Sequence, residues 1–317
     1  MRARILRSSQ REFDCRLESG EQVQARALGN LLKSEESVVV GDYVSLRQEG
    51  EEWVIFERED RTSEIFRHLV RENKKKITAA NCDLLVILTS VSKPQYKRGI
   101  LDRFLVRAHQ WQIKPIVVFN KMDEWEEGND LDLNFEVDRL LELGVEGYEI
   151  SCVEPERKPQ FLGLGLEDLR SRLKGKTSIL LGQSGVGKSS TINALAPEHA
   201  EQLKTKMVGK AGKGTHTTTW SEIVDFGLFD LIDSPGIRSF SLEDIHPEEL
   251  ISYFSDIEPI AGACQFSNCT HLEGSKGCAF WKLDPDNRQT QLVFSRLESY
   301  LRIRAEISET PTWAKKV

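Results

Sequence analysis

The sequence predicts a multi-domain protein that joins an N-terminal β-barrel, a central α/β domain and a mainly helical C-terminal domain. Three observations predict this class. About sixty N-terminal residues form short strand-like runs, the middle of the chain alternates apolar strands with helices, and the tail combines clustered cysteines with a long amphipathic helix. At 317 residues the chain is also too long for one ordinary core. We expect domains over residues 1–66, 67–240 and 241–317.

Five runs near the N-terminus alternate apolar and polar residues, with glycine-containing turns between them. They lie at about 3–8, 11–18, 21–28, 37–47 and 52–58. Five short strands without a helix predict a small closed barrel of the oligonucleotide/oligosaccharide-binding (OB) type. A barrel that serves only as a spacer has the same pattern, so this geometry by itself does not indicate RNA binding.

The central domain is predicted from continuous apolar runs at Asp83–Thr89 and Pro115–Phe119, which are typical of strands covered on both faces. Further strands are expected at 147–151, 178–181 and 228–232, and helices at 98–112, 132–143 and 166–174. This alternation predicts a parallel sheet with helices on both sides. Ligands of such sheets bind beyond the C-terminal ends of the strands.

A glycine-rich segment follows the strand at 178–181 and matches the phosphate-binding loop completely. It consists of Gly182, Gln183, Ser184, Gly185, Val186, Gly187, Lys188, Ser189 and Ser190. Its glycines let backbone N–H groups surround a β-phosphate, and the helix that follows adds its positive dipole end. We expect Lys188 to neutralise phosphate oxygens and the Ser189 hydroxyl to bind Mg²⁺. The alternative of a chance glycine-rich loop is disfavoured by the strand before it and the helix after it.

A second element, at the end of the strand 115–119, is typical of guanine recognition. It consists of Asn120, Lys121, Met122 and Asp123. The Asp123 carboxylate can accept hydrogen bonds from guanine N1–H and the exocyclic amine, and adenine offers neither donor there. Lys121 is expected to pack over the base, and Asn120 to tie this loop to the phosphate loop. Ser151 and Cys152 fit the short loop whose backbone N–H at 152 meets guanine O6.

Two further segments complete the predicted nucleotide site. Asp233 and Gly236 fit an Asp-x-x-Gly element, in which Asp233 holds Mg²⁺ through water and the Gly236 N–H contacts the γ-phosphate. Thr217 or Thr218 is expected to complete the Mg²⁺ shell, and spacing does not decide between them. Because Ile237 replaces the water-orienting glutamine of Ras-like enzymes, His216 is the nearest candidate for that role. A polar residue without a chemical part is the alternative for His216.

The two main elements occur in an unusual order. In an ordinary GTPase the phosphate loop opens the domain and the Asn-Lys-x-Asp element closes it, whereas here Asn120–Asp123 precedes Gly182–Ser190. The reversal predicts a circularly permuted domain, whose original ends are joined and whose chain is opened elsewhere.

Four residues in the tail supply three thiols and one imidazole within fifteen positions: Cys264, Cys269, His271 and Cys278. This is a complete tetrahedral ligand set for structural Zn²⁺, with no position left for a catalytic water. Disulfides are the alternative, but they are unusual in a cytoplasmic chain with this spacing. The isolated Cys15, Cys82 and Cys152 are expected to be buried thiols.

The composition bounds the location and the partners. The sequence has no apolar stretch of signal-peptide or membrane-spanning type, which predicts a cytoplasmic protein without a membrane partner. Its net charge of −7 argues against a uniformly basic, nucleic-acid-binding surface. Basic residues nevertheless cluster at 2–16, 67–76 and 204–213. Such clusters usually form solvated faces, but three of them are compatible with an anionic partner.

These motifs together resemble one family, the circularly permuted, small-ribosomal-subunit-dependent GTPases (RsgA, also called YjeQ or EngC). The resemblance rests on Asn120–Asp123, Gly182–Ser190, Gly214–Thr219, Asp233–Gly236 and the Cys/His set, with Ala79–Asp83 resembling the entry into the permuted domain. It implies GTP hydrolysis to GDP and phosphate, stimulated by the small ribosomal subunit during its late maturation, with contacts to ribosomal RNA. Cys152, where alanine is usual, and a modest basic arm are the departures.

Three hypotheses follow. The leading one is a monomeric GTPase that acts as a timer on the assembling small subunit. The second is a nucleotide-regulated module that docks on ribosomal RNA with little turnover of its own. The third is a phosphate-loop ATPase or kinase, against which Asp123 argues.

Overall fold

A computed structural model of the chain describes residues 1–9, 12–32, 37–69, 74–126, 131–199, 221–233 and 241–309. Within residues 2–58 five strands form a closed barrel: β1 (Arg2–Ser9), β2 (Glu12–Leu17), β3 (Gln22–Ala27), β4 (Tyr43–Glu49) and β5 (Glu52–Arg58). The neighbour order is β1-β2-β3-β5-β4, and pairing of β4 with β1 closes the barrel. Alternate side chains such as Ile5, Cys15 and Ile55 fill its interior, which confirms the predicted OB-type barrel.

The predicted strand at 37–47 begins only at Tyr43. Before it, the chain turns at Gly41, which has a φ of +90°. A Cβ at this glycine would lie 2.0 Å from the carbonyl oxygen of Ala80. The close approach of these two segments therefore requires glycine, and it ends the regular strand geometry there.

A two-stranded hairpin that the sequence did not predict follows the barrel. It consists of β6 (Glu64–Leu69) and β7 (Lys74–Ala80), paired antiparallel. Lysine disfavours strands when it is considered residue by residue, and Lys74 to Lys76 therefore hid this element. Pairing with β6 and burial of Ala79 and Ala80 stabilise the strand instead.

The central sheet contains β8 (Leu84–Ser90), β9 (Lys114–Asn120), β10 (Glu146–Glu149), β11 (Thr177–Leu181), β12 (Glu222–Asp225) and β13 (Asp230–Asp233). In the described residues its order is β10-β9-β8-β11-β13-β12, parallel except for β12. The helices are α1 (Arg98–Trp111), α2 (Leu133–Glu142), α3 (Leu166–Leu173) and α4 (Lys188–Leu195). The phosphate-loop strand β11 thus lies centrally although β8 to β10 precede it in sequence, as expected for a permuted domain.

Both faces of the central sheet are covered, as the continuous apolar runs predicted. Leu85, Ile87 and Val117 face the core shared with α1 and α2, whereas Val86 and Val118 face the core shared with α3. This alternation explains why residues 84–88 and 115–119 are all apolar.

The barrel is joined to the central sheet by β1, which pairs with β12 at Arg7 and Glu222. Polar contacts accompany this pairing. Arg16 forms an ion pair of 2.5 Å with Asp230, and Arg4 donates to the Thr177 hydroxyl at 2.6 Å.

The C-terminal part is built on a 22-residue helix, Arg288–Glu309, which packs on α1. Its core contains Phe254, Phe280, Tyr300 and Cys278.

The helix predicted at 247–255 is instead a 3₁₀ turn, Leu250–Tyr253, followed by a short α-helix, Glu258–Gly262. Contacts of Leu250, Phe254 and Ile257 with the core favour this tighter turn. Other 3₁₀ turns are Gly29–Leu32, Met122–Glu124, Pro197–His199 and Phe280–Lys282. In the described part of the chain, no helix combines the length and apolar character needed to cross a membrane.

Candidate guanine nucleotide site and metal centre

The predicted binding elements converge at one edge of the central sheet. Asn120 ends β9, Ser151 follows β10, Gly182 follows β11 and Asp233 ends β13. These strands are parallel neighbours through β8 and β11, so their C-terminal ends lie side by side. This is the edge at which parallel α/β sheets bind ligands.

A direct hydrogen bond joins the base-recognition element to the phosphate loop. The Asn120 side-chain Nδ2 donates to the Val186 carbonyl oxygen at 2.9 Å, and both residues are buried. A Cβ at Gly187 would lie 2.3 Å from this Nδ2, so glycine is required where the two loops touch. The two segments are therefore in direct contact despite their reversed order in the sequence.

The phosphate loop has the shape of an anion cradle. Gly185 and Gly187 have φ values of +83° and +97°, which bend the backbone around the loop interior. The Lys188 ammonium donates to the carbonyl oxygens of Gly182 and Gln183, at 2.8 and 2.6 Å. Helix α4 begins at Lys188, so Ser189 lies in its first turn and the N–H groups of that turn face the loop. These groups suit a phosphate ligand.

At the base end, Ser151 orients the carboxylate of Asp123. The Ser151 hydroxyl donates to Asp123 Oδ1 at 2.5 Å and accepts from the backbone N–H of Glu154 at 2.9 Å. The backbone N–H of Met122 donates to the carbonyl of Ile150 at 3.1 Å. The base-recognition loop is thus held against the loop after β10, and the carboxylate cannot rotate freely.

Cys152 lies between the base-recognition loop and α4, where it is half-buried, whereas Cys15 and Cys82 are buried as expected. Its thiol donates to Asn120 Oδ1 at 3.5 Å and lies 3.6 Å from the Thr191 hydroxyl. Burial raises the pKa of the Cys152 thiol, so the group stays neutral at physiological pH. The small side chain occupies the position where the family resemblance implied alanine, and it adds a weak hydrogen bond to Asn120.

On the phosphate side, Ser189 and Asp233 are both half-buried at the same edge of the sheet. A hydroxyl and a carboxylate in these positions are oxygen donors of the kind that Mg²⁺ prefers. Four expected site residues lie outside the described residues, namely His216, Thr217, Thr218 and Gly236.

A loop that sequence reasoning missed, Val91–Lys97, wraps around the base-recognition element. The backbone N–H of Val91 donates to the Asn120 carbonyl at 3.2 Å, the Lys121 ammonium donates to the Lys93 carbonyl, and the Ser92 hydroxyl donates to Glu124. The loop Val91–Lys97 contributes two backbone groups and one serine hydroxyl to these contacts, so no sequence motif indicates them. A cavity of about 560 Å³ borders this loop; its lining includes Ser92, Tyr96, Glu124 and Leu131 but no phosphate-loop residue. It is therefore separate from the phosphate cradle.

The Cys/His residues form a second candidate site. The ligand atoms of Cys264, Cys269, His271 and Cys278 all lie within 4.8 Å of one another. Cys264 Sγ is 3.9 Å from Cys278 Sγ and 3.5 Å from His271 Nδ1. Zn–S and Zn–N bonds of about 2.3 and 2.05 Å in a tetrahedron imply ligand separations of about 3.8 and 3.6 Å. The observed spacing fits such an ion.

The surroundings hold these ligands in place. The backbone N–H of Ala279 donates to Cys264 Sγ at 3.3 Å, and the His271 ring contacts Phe280 and Tyr300 edge-on or tilted, with centroids 5.2 and 6.0 Å apart. Burial raises the pKa of the Cys278 thiol to about 11 and lowers the pKa of His271. A dication would offset the first effect, and neutral imidazole is the ligating form.

Comparisons with known proteins agree with this architecture. The RsgA GTPase family model matches residues 58–243. A Bacteroides fragilis protein named "Small ribosomal subunit biogenesis GTPase RsgA" is 31% identical over 318 residues, covering 98% of each chain. The crystal structure of YjeQ from Thermotoga maritima superposes with a TM-score of 0.74 at 25% identity, covering 98% of this chain and 99% of that one. That of YloQ, described as a circularly permuted GTPase, gives 0.70 at 24% identity, covering 98% and 96%. The chain therefore belongs to the RsgA GTPase family and is a GTP hydrolase with a circularly permuted nucleotide-binding domain.

Proposed function

We propose that the pocket between the base-recognition element and the phosphate loop binds GTP and GDP. The observation that carries this proposal is the 2.9 Å hydrogen bond from Asn120 to Val186, which unites the two elements. Asp123 accepts from guanine N1–H and the exocyclic amine, the N–H of Cys152 meets guanine O6, and Lys121 packs over the base. The backbone of Gly182–Ser190 and the Lys188 ammonium bind the phosphates.

Hydrolysis in this proposal uses groups on both sides of the γ-phosphate. Ser189 and Asp233 would hold Mg²⁺ together with Thr217 or Thr218, and a bound ion would supply positive charge for the phosphate oxygens. The Gly236 N–H contacts the γ-phosphate, and His216 orients or polarises the attacking water. Because hydrolysis depends on ordering these segments, turnover by the protein alone is slow.

The Cys/His set holds one structural Zn²⁺. Its three sulfurs and one nitrogen match the ligands of closed zinc sites, and hard cations such as Mg²⁺ prefer oxygen. The ion stabilises the segment that carries Cys264, Cys269 and His271, which includes the exposed side chains of Phe266 and Leu272 and has few apolar contacts of its own.

The partner in this proposal is the small ribosomal subunit with its RNA, because the relatives with this fold are named for its biogenesis. The protein acts as a cytoplasmic monomer in the late maturation of the particle. Its GTP-bound form is retained, contact with the particle completes the site, and hydrolysis promotes release. In this proposal the domains span residues 1–66, 67–240 and 241–317.

Two measurements test this function. Competition binding should favour GDP over ADP, and Asp123→Ala should abolish that preference while the phosphate loop remains intact; equal binding of GDP and ADP to the unmodified protein would support an ATPase or kinase instead. GTP turnover and cosedimentation should then be measured with purified small subunits. Stimulated turnover, with preferential retention in the presence of a nonhydrolysable GTP analogue, is expected. Binding to the particle without stimulation would favour the RNA-docking alternative.

A further inference from the structure

A chain of polar side chains, buried in its middle and half-buried at its two ends, connects the base-recognition region to the C-terminal part. We call it the buried charge chain, and its members are Tyr96, Glu136, Arg139, Asp102, Arg296 and Asp256. The Tyr96 hydroxyl donates to Glu136 at 2.8 Å, and Arg139 donates to Glu136 at 2.6 Å and to Asp102 at 2.8 Å. Arg296 donates to Asp102 at 2.5 Å and to Asp256 at 2.9 Å. Every link is within hydrogen-bonding distance.

Burial makes this chain unusual. The side chains of Glu136 and Asp102 are 0% exposed, and those of Arg139 and Arg296 are 1% and 5% exposed. Burial by itself would raise the pKa of Asp102, but the charges of Arg296 and Arg139 and hydrogen bonds to the carboxylate together lower it, so Asp102 stays charged. A buried ion pair often adds no more stability than apolar side chains of similar volume would, but separating its two partners is costly. The chain therefore acts here mainly by favouring one relative arrangement of the elements that carry it.

The first end of the chain lies at the guanine pocket. Tyr96 belongs to the loop Val91–Lys97, whose backbone holds Asn120 and Lys121. Its ring also packs on Phe119, with centroids 5.9 Å apart, immediately before Asn120. A displacement of Tyr96 therefore moves the base-recognition element directly.

The other end lies in the C-terminal core. Arg296 is on the long helix Arg288–Glu309, and its guanidinium lies 4.4 Å from the centroid of the Phe254 ring. Asp256, the last member of the chain, lies two residues after Phe254. Phe254 shares its core with Cys278 of the Cys/His set, so the position of Arg296 depends on how this part of the molecule is seated.

We propose that Arg296 is a positioning residue for guanine recognition, which acts through Asp102, Arg139, Glu136 and Tyr96 on the loop that holds Asn120–Asp123. The position of the C-terminal part that carries the Cys/His set thereby determines how closely the Asp123 carboxylate is aligned with the guanine donors. This inference rests on the proposed role of Asp123. It differs from that role in assigning base selectivity to residues far from the pocket.

The test compares the affinities of the full-length protein for GDP and for inosine diphosphate, which lacks the exocyclic amine that Asp123 recognises. Tyr96→Phe removes one oxygen at the pocket end, and Asp256→Asn removes one charge at the far end. Glu306→Gln is the matched control, because it breaks an exposed ion pair with Arg103 that also joins α1 to the C-terminal helix but lies outside the chain. Thermal unfolding midpoints of all variants are measured in parallel.

Both chain variants should weaken GDP binding by about fivefold and inosine diphosphate binding by less, so the GDP preference falls, whereas Glu306→Gln keeps it. A general loss of stability would weaken the binding of both nucleotides to the same extent and leave the ratio of their affinities unchanged. If Asp123→Ala abolishes the preference while Tyr96→Phe and Asp256→Asn match Glu306→Gln, the coupling is refuted and the base site stands. If Asp123→Ala also keeps the preference, the base site itself is wrong and the coupling falls with it. Tyr96→Phe decides the question even if Asp256→Asn destabilises the C-terminal part.

Discussion

The contact between the phosphate loop and the base-recognition element can be tested with two alanine substitutions in one loop. Gly185 and Gly187 both have positive φ, so alanine at either position incurs a similar backbone cost of about 1–2 kcal/mol. Their surroundings differ. Among the described residues, a Cβ at Gly185 meets only Pro94, at 3.6 Å, whereas a Cβ at Gly187 lies 2.3 Å from Asn120 Nδ2.

The difference between the two variants has a definite size. Gly187→Ala must displace the Asn120 side chain, which breaks its bond to Val186 and leaves the buried Val186 carbonyl without this partner. An unsatisfied buried polar group costs about 1–3 kcal/mol. At roughly 3 °C per kcal/mol for a domain of this size, Gly187→Ala should unfold about 3–9 °C below Gly185→Ala.

Thermal unfolding of the nucleotide-free protein, followed by circular dichroism, is the assay, because a nucleotide would add direct contacts between the new methyl groups and its phosphates. In an Asn120→Ala background the clash is absent, so Gly187→Ala should then cost no more than Gly185→Ala. Equal midpoints of the two single variants would show that the Asn120 contact contributes nothing, and would refute the reasoning.

Three further outcomes are expected. Cys278→Ser should eliminate bound zinc and increase hydrogen exchange over residues 256–309, while GDP binding weakens by no more than about tenfold; unchanged exchange would contradict a structural ion. His216→Ala should lower particle-stimulated turnover by about 10²-fold at unchanged GDP affinity, and undiminished turnover would exclude its catalytic part. A hydrogen bond from Arg172 lowers the pKa of Glu146 to about 2, from 4.5. Its stabilisation is therefore complete above about pH 4.5 and is lost as the pH falls towards 2. Glu146→Gln should reduce the loss of unfolding free energy between pH 4.5 and pH 2 by about 1 kcal/mol or less, because the group is partly exposed. An unchanged dependence of that free energy on pH would argue against the pairing.

The sequence and the structure agree on the features that local chemistry specifies. The phosphate loop was recognisable because a tight, anion-binding turn demands glycine at fixed positions, followed by lysine and a hydroxyl. The strands β8 and β9 were recognisable because burial on both faces requires continuous apolar residues. The Cys/His cluster was recognisable because thiols and imidazole at this spacing suit a metal ion and have few other uses.

Other features could not be read from the sequence because their stability depends on distant partners. The hairpin β6–β7 contains three consecutive lysines and forms through pairing between its strands. The expected helix at 247–255 became a 3₁₀ turn because core contacts of Leu250 and Phe254 outweighed the local pattern. No local sequence pattern around Asp102 or Arg296 indicates that the two residues pair, because 194 positions separate them along the chain.

The amino-acid sequence by itself determined the chemistry of this protein: a permuted guanine-nucleotide site, a Cys/His metal set and a family. Short motifs suffice for this, because phosphate, guanine and metal recognition require particular side chains at particular spacings. Only the tertiary structure decided how those motifs meet, through the bond from Asn120 to Val186, the loop Val91–Lys97 and the buried charge chain. These contacts depend on the relative placement of whole elements, which packing fixes and local sequence does not encode.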